Sequence, residues 1–323
     1  MGYSSRAAAS CQIATEPLVT AVIPTRNRPD LVTRAVRSAL EQTYQQMEVV
    51  VVVDGPDAAT NAALASIQDE RLRVICLPEP VGASDARNVG VQAARGEWIG
   101  LLDDDDEWMS RKIELQMCLA SASKFEFPII SSRIIARTPR VDYVWPRRLP
   151  YSAEPVAEYL FCRRGLFQGE GSIISSTIFT KRVLFGMVPF TCGLKKHQDW
   201  DWLIRAAKTA GAGFEVYWEP LAVYHTDMAR PTVGNSDDWA YSLAWIRDRR
   251  QDVTRRAYAA FVLIVVAAQA ARASTPKQYM ALFSEALNSG SPSLLEIALF
   301  VGMRLIPRGT RQRLRAAFGG SQR

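Results

Sequence analysis

Four consecutive aspartates, Asp103–Asp106, follow a short apolar run that begins at Trp98 and ends at Leu102. An apolar run of this length between polar residues is typical of a buried strand in a parallel sheet. Open α/β sheets bind ligands beyond the carboxyl ends of their strands, so these aspartates stand where a ligand is expected. Because adjacent carboxylates repel one another, a hard cation such as Mg²⁺ or Mn²⁺ would stabilise them. The alternative is a solvated acidic turn that caps a helix starting near Ser110.

Other polar segments follow other predicted strands. The first strand, Leu18–Ile23, ends at the loop Pro24–Pro29, and the second, Glu48–Val53, ends at a turn that Asp54 opens. The stretch Gln198–Ala207 opens a helix with acidic residues, as the helix dipole favours. These segments could meet the aspartates at one edge of a sheet.

The elements that must position these residues alternate between strands and helices. Apolar runs and amphipathic segments alternate repeatedly between residues 18 and 122, which predicts a doubly wound, mostly parallel sheet. The later chain predicts five more strands and one loop. The strands are Ile129–Ile135, Val141–Trp145, Ser172–Thr180 and the pair Phe214–Tyr217 and Leu221–Tyr224, and the loop is Gly186–Lys196.

The composition is that of an ordinary globular protein. The chain has 323 residues, of which 48% are hydrophobic and 22% charged, so it can form one large domain or two. The five cysteines are widely spaced without a zinc-ligand pattern, which predicts reduced thiols and a cytoplasmic location. Residues 1–17 have no signal-peptide core and are interpreted as a flexible leader.

The positive charge is concentrated at the C-terminal end. The net charge is +6 overall, with +9 after Trp239 and −3 before Ala240. The run Phe261–Ala268 is too short to span a bilayer, which predicts a buried core helix or a membrane-dipping one.

The second apolar helix, Leu294–Ile306, precedes four arginines, Arg308, Arg311, Arg313 and Arg315. This pattern indicates either an interfacial helix on anionic lipid or a helix packed on the protein with a solvated basic tail. Nucleic-acid binding fits poorly, because the basic charge is confined to this segment and lacks interleaved aromatic residues.

Five motifs in this order resemble the inverting family 2 glycosyltransferases of the GT-A fold. They are Val22–Arg28, Val52–Gly55, Ala86–Gly90, Leu101–Asp106 and Gln198–Asp201, and the resemblance covers about residues 18–230. The resemblance implies an α/β fold of GT-A type, with a mostly parallel sheet flanked by helices and followed by a C-terminal helical segment.

The resemblance also implies a nucleotide-diphosphate sugar donor and a divalent metal, Mg²⁺ or Mn²⁺. Asp103 would face the ribose, Asp104 would lie beside it, and Asp105 would bind the metal. Asp106 would either join them or cap the next helix. The loop residues Pro24, Thr25, Arg26 and Asn27 would surround the nucleotide, and Asp54 would contact the base. A UDP-sugar is favoured, although the family usually has two acids where this chain has only Asp54, which leaves the base open.

Arg87 is expected to contact the diphosphate or the base, because a guanidinium group matches phosphate oxygens. The alternative is a surface ion pair with Asp85 or Glu97. By resemblance, Asp199 would be the general base that takes the proton from the acceptor hydroxyl. The alternative role for Asp199 is a helix cap, which Asp201 could provide equally well.

Two histidines and two tryptophans complete the candidate site. His225 would be a second metal ligand, as in some relatives, or a structural histidine. His197 could contact the acceptor or a phosphate. One of Trp200 and Trp202 is expected to stack on a sugar ring and the other to fill the core.

The predicted organisation is a glycosyltransferase domain at residues 18–238 and a basic helical segment at residues 239–323 with potential membrane-surface contact. The domain would divide into a nucleotide-binding half, residues 18–109, and an acceptor-binding half, residues 110–238. By analogy, the acceptor would be a glycan or a lipid-linked sugar at the inner face of a bacterial membrane. Two rival hypotheses are a sugar-phosphate nucleotidyltransferase, which would have a Gly-rich loop after the first strand, and a non-catalytic scaffold.

Overall fold

The structure is a computed structural model that describes residues 16–139, 141–166, 169–226 and 238–306. Most of the predicted leader and all four arginines after Ile306 named above lie outside the described residues. The chain divides into two compact units. Unit 1 contains the described residues up to Trp145 and those from Ile173 to Thr226, and unit 2 contains Pro146–Ser172 and the described residues from Asp238 onward.

Unit 1 begins with a parallel sheet whose strands alternate with helices. The strands are β1 (Val19–Thr25), β2 (Met47–Val53), β3 (Leu72–Cys76) and β4 (Trp98–Leu101), and the helices are α1 (Pro29–Leu40), α2 (Ala58–Ala65) and α3 (Ala83–Ala93). Strand β1 pairs in parallel with both β2 and β4, and β2 pairs in parallel with β3. The carboxyl ends of these strands therefore lie along one edge.

The valines of β2 show why this strand has no polar residue after Glu48. Val49, Val51 and Val53 belong to one buried cluster that includes residues of α1. Val50 and Val52 pack with Ala86 of α3 in a second cluster. Both faces of the strand are covered, and β-branched residues suit a strand buried on both faces.

The rest of unit 1 extends the sheet with mixed pairing. Its elements are β5 (Glu107–Trp108), α4 (Lys112–Ala122), β6 (Phe127–Arg137), β7 (Tyr143–Trp145), β8 (Phe179–Lys181), α6 (Arg182–Met187), α7 (Gln198–Ala206) and β9 (Ala212–His225). The strand order is β3-β2-β1-β4-β8-β6-β9-β5, and β7 pairs with β6. Strand β8 is antiparallel to β4, whereas β9 is parallel to β6. The sheet is parallel in its first half and mixed in its second.

Several element predictions in the second half of unit 1 were wrong. Residues Ser175–Thr177 form one 3₁₀ turn before the short strand β8, where a strand was predicted throughout Ser172–Thr180. The predicted loop from Gly186 begins with the end of helix α6. Two predicted short strands are one strand, β9, which bends where its register to β6 shifts near Arg133. Such an irregularity interrupts the regular sequence pattern of a strand, so this one strand was predicted as two.

Unit 2 is helical. Its helices are α5 (Val156–Phe161), α8 (Trp239–Asp248), α9 (Arg255–Ala260), α10 (Ala267–Ala273), α11 (Pro276–Ser289) and α12 (Leu294–Leu305), and a π-helical stretch, Phe261–Val266, joins α9 to α10. Phe261, Val262, Leu263 and Val266 of this stretch are fully buried, as expected of a core helix. Among the described residues, no helix combines the length and apolar character needed to cross a membrane.

The segment Pro146–Ser172 belongs to unit 2, whereas the predicted division placed it in the glycosyltransferase domain. Aromatic packing and hydrogen bonds explain the difference. The ring of Phe161 packs edge-on against Phe261, with centroids 4.8 Å apart. The Thr254 hydroxyl donates to Glu158 at 2.7 Å. Helix α5 therefore completes the core of the C-terminal helices.

Candidate active site

The four aspartates alternate between buried and partly exposed positions. Asp104 and Asp106 are buried, whereas the side chains of Asp103 and Asp105 keep 29% and 22% of their surface exposed. The loop that follows β4 therefore turns two carboxyl groups inward and presents two outward. The observed burial excludes the alternative of a fully solvated acidic turn.

Asp104 connects the acidic loop to the loop after β1. Its carboxylate accepts hydrogen bonds from the Thr25 hydroxyl and from Arg28, both at 2.8 Å. Arg28 also lies 3.2 Å from a carboxylate oxygen of Asp105. Burial raises the pKa of Asp104 to about 6, although the positive charge of Arg28 opposes this shift. Arg28 is a site residue that the sequence analysis missed as an individual residue.

Arg87 pairs with Asp103, and not with Asp85 or Glu97 as the alternative hypothesis proposed. Its Nη2 atom donates to Oδ1 of Asp103 at 2.5 Å, and its guanidinium carbon lies 5.6 Å from the ring centroid of Phe190. Its other two nitrogens, Nε and Nη1, are buried without a hydrogen-bond partner in the described part of the chain. Helix α3 thus places a buried cation directly behind the first aspartate.

Asp106 is the most deeply buried of the four carboxyl groups. It accepts a hydrogen bond from the Ser176 hydroxyl at 2.5 Å, and burial and the nearby charges of Asp103 and Asp105 raise its pKa well above the ordinary value. The alternative role of Asp106 as a cap of α4 was wrong, because that helix begins at Lys112 without a side-chain cap. The hydrogen bond to Ser176 was not predicted, because Ser176 is 70 residues away in the sequence.

His225 ends β9 beside the acidic loop. Its Nε2 atom lies 2.6 Å from a carboxylate oxygen of Glu107, which also lies 3.4 Å from Arg34. Arg34 donates to the backbone carbonyl of Asp105 at 2.6 Å. Within the described ranges, no three His, Cys, Asp or Glu side chains are grouped closely enough to form a complete metal site. The roles of Glu107 and Arg34 were missed because their partners lie about 70 residues or more away in the sequence.

Asp199 lies in the first turn of α7, which follows His197 in a left-handed backbone conformation. The pKa of Asp199 is raised to about 6, first by burial and then by the Asp103 carboxylate, and the positive charge of Arg87 opposes this rise. The pKa of the Tyr224 phenol is raised to about 12, first by burial and then by Asp106, Asp105, Asp103 and Asp199. Contacts agree with these shifts: Arg87, the partner of Asp103, lies over the ring of Phe190, which stacks on Trp202 of α7 with centroids 5.8 Å apart. Asp199 and the acidic loop therefore belong to one cluster.

Asp201 and the two tryptophans of α7 have structural contacts. Asp201 is fully buried and accepts hydrogen bonds from Thr191 at 2.7 Å and Arg205 at 2.9 Å. The N-cap residue of α7 is His197, which makes no side-chain cap. The Asp199 carboxylate accepts a hydrogen bond from the backbone N–H of Trp200 at 3.0 Å, so it satisfies one donor of the first turn, as the cap alternative for Asp199 requires. Trp202 fills the core, whereas Trp200 stacks on His197 with ring centroids 5.1 Å apart. Burial lowers the pKa of His197 to about 3, so this ring is neutral.

The predicted nucleotide-binding residues differ in their exposure. Pro24 is a buried residue of β1, whereas Arg26 and Asn27 are exposed at the loop that follows it. Asn27 has a positive φ of 54°, and its backbone N–H donates to Asp57. Asp54 is buried and accepts hydrogen bonds from the backbone N–H groups of Val81 and Gly82. Asp54 therefore anchors the loop before α3, the helix that carries Arg87.

Comparison with known proteins shows which family the chain belongs to. The sequence model of the family described as "Glycosyl transferase family 2" matches residues 20–184, about half of the chain. Amylovoran biosynthesis glycosyltransferase AmsB from Erwinia amylovora is 29% identical over 243 residues, which cover 73% of this chain and 78% of AmsB.

Another relative and a solved structure are also similar to this chain. The relative is the UDP-Glc:alpha-D-GlcNAc-diphosphoundecaprenol beta-1,3-glucosyltransferase WfgD from Escherichia coli, which is 28% identical over 136 residues; the match covers 42% of this chain and 54% of WfgD. The solved structure is the crystal structure of S. aureus TarS 1–349 in complex with UDP-GlcNAc. It has a TM-score of 0.53 and 16% identity, and the match covers 84% of this chain and 72% of the TarS 1–349 chain. The chain belongs to glycosyl transferase family 2 and is a glycosyltransferase with a fold of GT-A type.

Proposed function

We propose that this protein transfers a sugar from a nucleotide-diphosphate sugar to an acceptor hydroxyl with inversion, by direct displacement, in bacterial surface polysaccharide biosynthesis. The observation that carries the proposal is the set of contacts that joins Asp103 to α7. Arg87 pairs with Asp103 and lies over the ring of Phe190, and this ring stacks on Trp202 of α7, the helix that carries Asp199. In agreement with this geometry, the Asp103 carboxylate contributes to the raised pKa of Asp199. Direct displacement needs a carboxylate near the donor site that removes the proton of the attacking hydroxyl. The names of AmsB and WfgD support the polysaccharide assignment.

The donor would bind along the edge formed by the loops after β1, β2 and β4. A UDP-sugar is favoured because TarS, which has a similar fold, was crystallised with UDP-GlcNAc. Asp103 would face the ribose, and the exposed Arg26 and Asn27 would cover the nucleotide. Arg87 would act on the diphosphate, because two of its buried nitrogens still need hydrogen-bond acceptors. Asp54 and Asp104 would hold the surrounding loops, since their carboxylates bind Val81, Gly82, Thr25 and Arg28.

A divalent cation, Mg²⁺ or Mn²⁺, fits the donor set at Asp105 and His225. The Asp105 carboxylate is partly exposed, and such cations are often held by one or two carboxylates together with substrate phosphates. If Nε2–H of His225 donates to Glu107, the other ring nitrogen, Nδ1, is left as an acceptor that can bind a metal. Histidines that bind metals commonly donate to a carboxylate in this way. When bound, the cation would stabilise the negative charge of the departing diphosphate.

Asp199 would act as the general base. Its raised pKa of about 6 allows it to be ionised at neutral pH and still to accept a proton readily. Arg87 limits the rise of this pKa by its positive charge. The same arginine would therefore serve both the donor and the base.

The acceptor would be a glycan or a lipid-linked sugar, and the protein would reach it at the inner face of the membrane. The outward face of α12 supports this part of the proposal. Leu294, Val301 and Leu305 on this face are 86%, 46% and 74% exposed, and with Ala298 they have helical spacing. The chain after Ile306 contains five arginines and no acid, a composition suited to an anionic lipid surface.

The test of the proposed function is turnover of a panel of nucleotide sugars by the purified full-length protein with Mn²⁺. We expect release of UDP from one UDP-sugar, faster when a sugar acceptor is added, and little release when the cation is chelated. The anomeric configuration of the product, measured by NMR, should be opposite to that of the donor. Retention of configuration, or no turnover and no binding of any nucleotide sugar, would contradict the proposal.

A further inference from the structure

Ser176 contacts both ends of the acidic loop, although it comes from a distant part of unit 1. It lies in the single 3₁₀ turn Ser175–Thr177. Its hydroxyl accepts a hydrogen bond from the backbone N–H of Asp103 at 3.1 Å and donates to Asp106 at 2.5 Å. Its backbone carbonyl accepts from the indole N–H of Trp108 at 2.9 Å. One residue therefore holds the first aspartate, the fourth aspartate and the strand that follows them.

The burial of these groups makes the contacts strong and specific. Ser176 is fully buried, and Asp106 is 1% exposed. Hydrogen bonds to a carboxyl group in a dry environment are stronger than those at the surface, and leaving one unmade is costly. Because the backbone of Asp103 and the side chain of Asp106 are both held, the loop between them is constrained. Asp103 and Asp105 then stay on the outward side.

The 3₁₀ turn is itself held by α4. The Gln116 side chain donates to the backbone carbonyl of Thr177 at 2.9 Å and accepts from Lys112 at 2.5 Å. The ammonium group of Lys112, which is fully buried, lies 4.3 Å from the ring centroid of Trp108. The hydrogen-bond network thus extends from the acidic loop to a rigid helix. A site supported by such a second layer keeps its geometry better than a free loop.

We propose that Ser176 and Asp106 are positioning residues, which set the direction of Asp103 and Asp105 toward the nucleotide sugar without contacting it themselves. The inference rests on the proposed function, since it concerns the same site. It assigns a role to a serine that no motif in the sequence marks, and it separates the four aspartates into two that face the ligand and two that hold the loop.

The first test compares Ser176→Ala with Ser175→Ala in the full-length protein. Ser175 is a matched control because it is buried in the same turn, and no hydrogen bond joins its hydroxyl to the aspartates in the described residues. We would measure the dissociation constant of UDP by calorimetry with and without Mn²⁺, and check folding by thermal unfolding. Ser176→Ala should weaken Mn²⁺-dependent UDP binding about tenfold or more, as loss of a supporting residue does at metal sites, and Ser175→Ala should not.

The second test uses Asp106, and it remains informative if Ser176→Ala fails to fold. Asp106→Asn keeps an oxygen that can accept from Ser176, so it should bind UDP and Mn²⁺ nearly as well as the wild type. Asp106→Ala removes that oxygen and should lose about tenfold in affinity. An equal loss in both variants would make the charge of Asp106 a direct ligand and would overturn the inference.

Equal affinities of the two serine variants would overturn the inference while leaving the proposed function intact. Failure of the wild-type protein to bind UDP at all would instead overturn the proposed function, and the inference with it. The two failures are distinguishable because only the second appears before any residue is changed.

Discussion

At the scale of single side chains, three charged residues of the candidate site, Arg87, Asp103 and Asp199, act on one another. Arg87 pairs with Asp103 at 2.5 Å, and both charges act on Asp199 in opposite directions. Because burial is the largest cause of the raised pKa of Asp199, the carboxyl group would be protonated in weak acid. The proposed base and the proposed donor-binding residues are therefore electrostatically dependent on one another.

The pH dependence of transfer follows from this arrangement. Only the ionised form of Asp199 can accept a proton, so activity should be lost as the pH falls through about 6. Below that value, kcat/KM should drop about tenfold for each pH unit, because the ionised fraction does. The measurement is a profile of kcat/KM between pH 4.5 and 8 at saturating Mn²⁺.

Arg87→Met gives a control for this profile. Removing the positive charge should move the acid limb to higher pH, since Arg87 lowers the pKa of Asp199. A profile that is flat from pH 5 to 8 in the wild type would exclude Asp199 as the titrating base.

At the scale of elements, the packing of α3 on the sheet fixes the position of Arg87. A methyl group at Gly90, one turn after Arg87, would come within 2.4 Å of a side-chain carbon of Val22 and 3.2 Å of one of Val52. Such distances require that the helix or the strands move. The glycine therefore allows α3 to lie close to β1 and β2.

Gly90→Ala should lower the free energy of unfolding by about 1–3 kcal/mol, the usual effect of overpacking. Urea denaturation would measure this change. Gly186→Ala is the control, because Gly186 lies in α6 with no atom within 4 Å of its added methyl group. That variant should be neutral or more stable by up to about 1 kcal/mol. Equal midpoints for the two variants would contradict the close packing of α3.

The sequence was sufficient for those parts of the fold that depend on local pattern. The uniform valines of β2 and the apolar run before Asp103 predict buried strands, and the carboxyl ends of parallel strands meet at one edge. This principle placed Asp54, Asp103 and Asp105 on the loops after their strands. The predicted nucleotide-binding half of the fold was accordingly close to the observed elements.

The parts that depend on long-range contacts could not be read from the sequence. Ser176 holds Asp106, and Arg28 holds Asp104, but each pair is separated by about 70 residues or more. Nothing in the local pattern of Ser172–Thr180 distinguishes a 3₁₀ turn from a strand, since a short apolar run suits both. The burial that separates Asp104 and Asp106 from their neighbours arises only from tertiary packing.

At the scale of the whole molecule, the C-terminal unit has a helix with two different sides. Phe300 of α12 is buried and stacks on Tyr279 with ring centroids 4.3 Å apart, whereas Leu294, Val301 and Leu305 are exposed. Exposed apolar stripes of this kind commonly mark an interaction surface. The basic sequence that follows makes an anionic membrane the occupant that we propose.

Substitution of Leu294, Val301 and Leu305 by Ser should reduce binding to vesicles that contain anionic lipid by about tenfold or more, because apolar burial in the interface is lost. Cosedimentation with phosphatidylglycerol vesicles measures this change. Val141→Ser with Val183→Ser is the control, since both valines are exposed in unit 1.

Deletion of the chain after Ser291 should also release the protein from these vesicles. Unchanged cosedimentation of both C-terminal variants would favour a helix whose exposed face is covered by protein.

The most direct test of the account is the effect of Asp199→Asn on transfer and on UDP binding, measured on the same protein. The substitution keeps the size of the side chain but removes the proton acceptor. We predict that kcat falls by about a hundredfold or more, the usual contribution of a general base, while the dissociation constant of UDP changes little. Asp142→Asn, at an exposed position of unit 1, should change neither quantity. Wild-type transfer rates in Asp199→Asn, or an equal loss of UDP binding and transfer, would contradict the proposed role of Asp199.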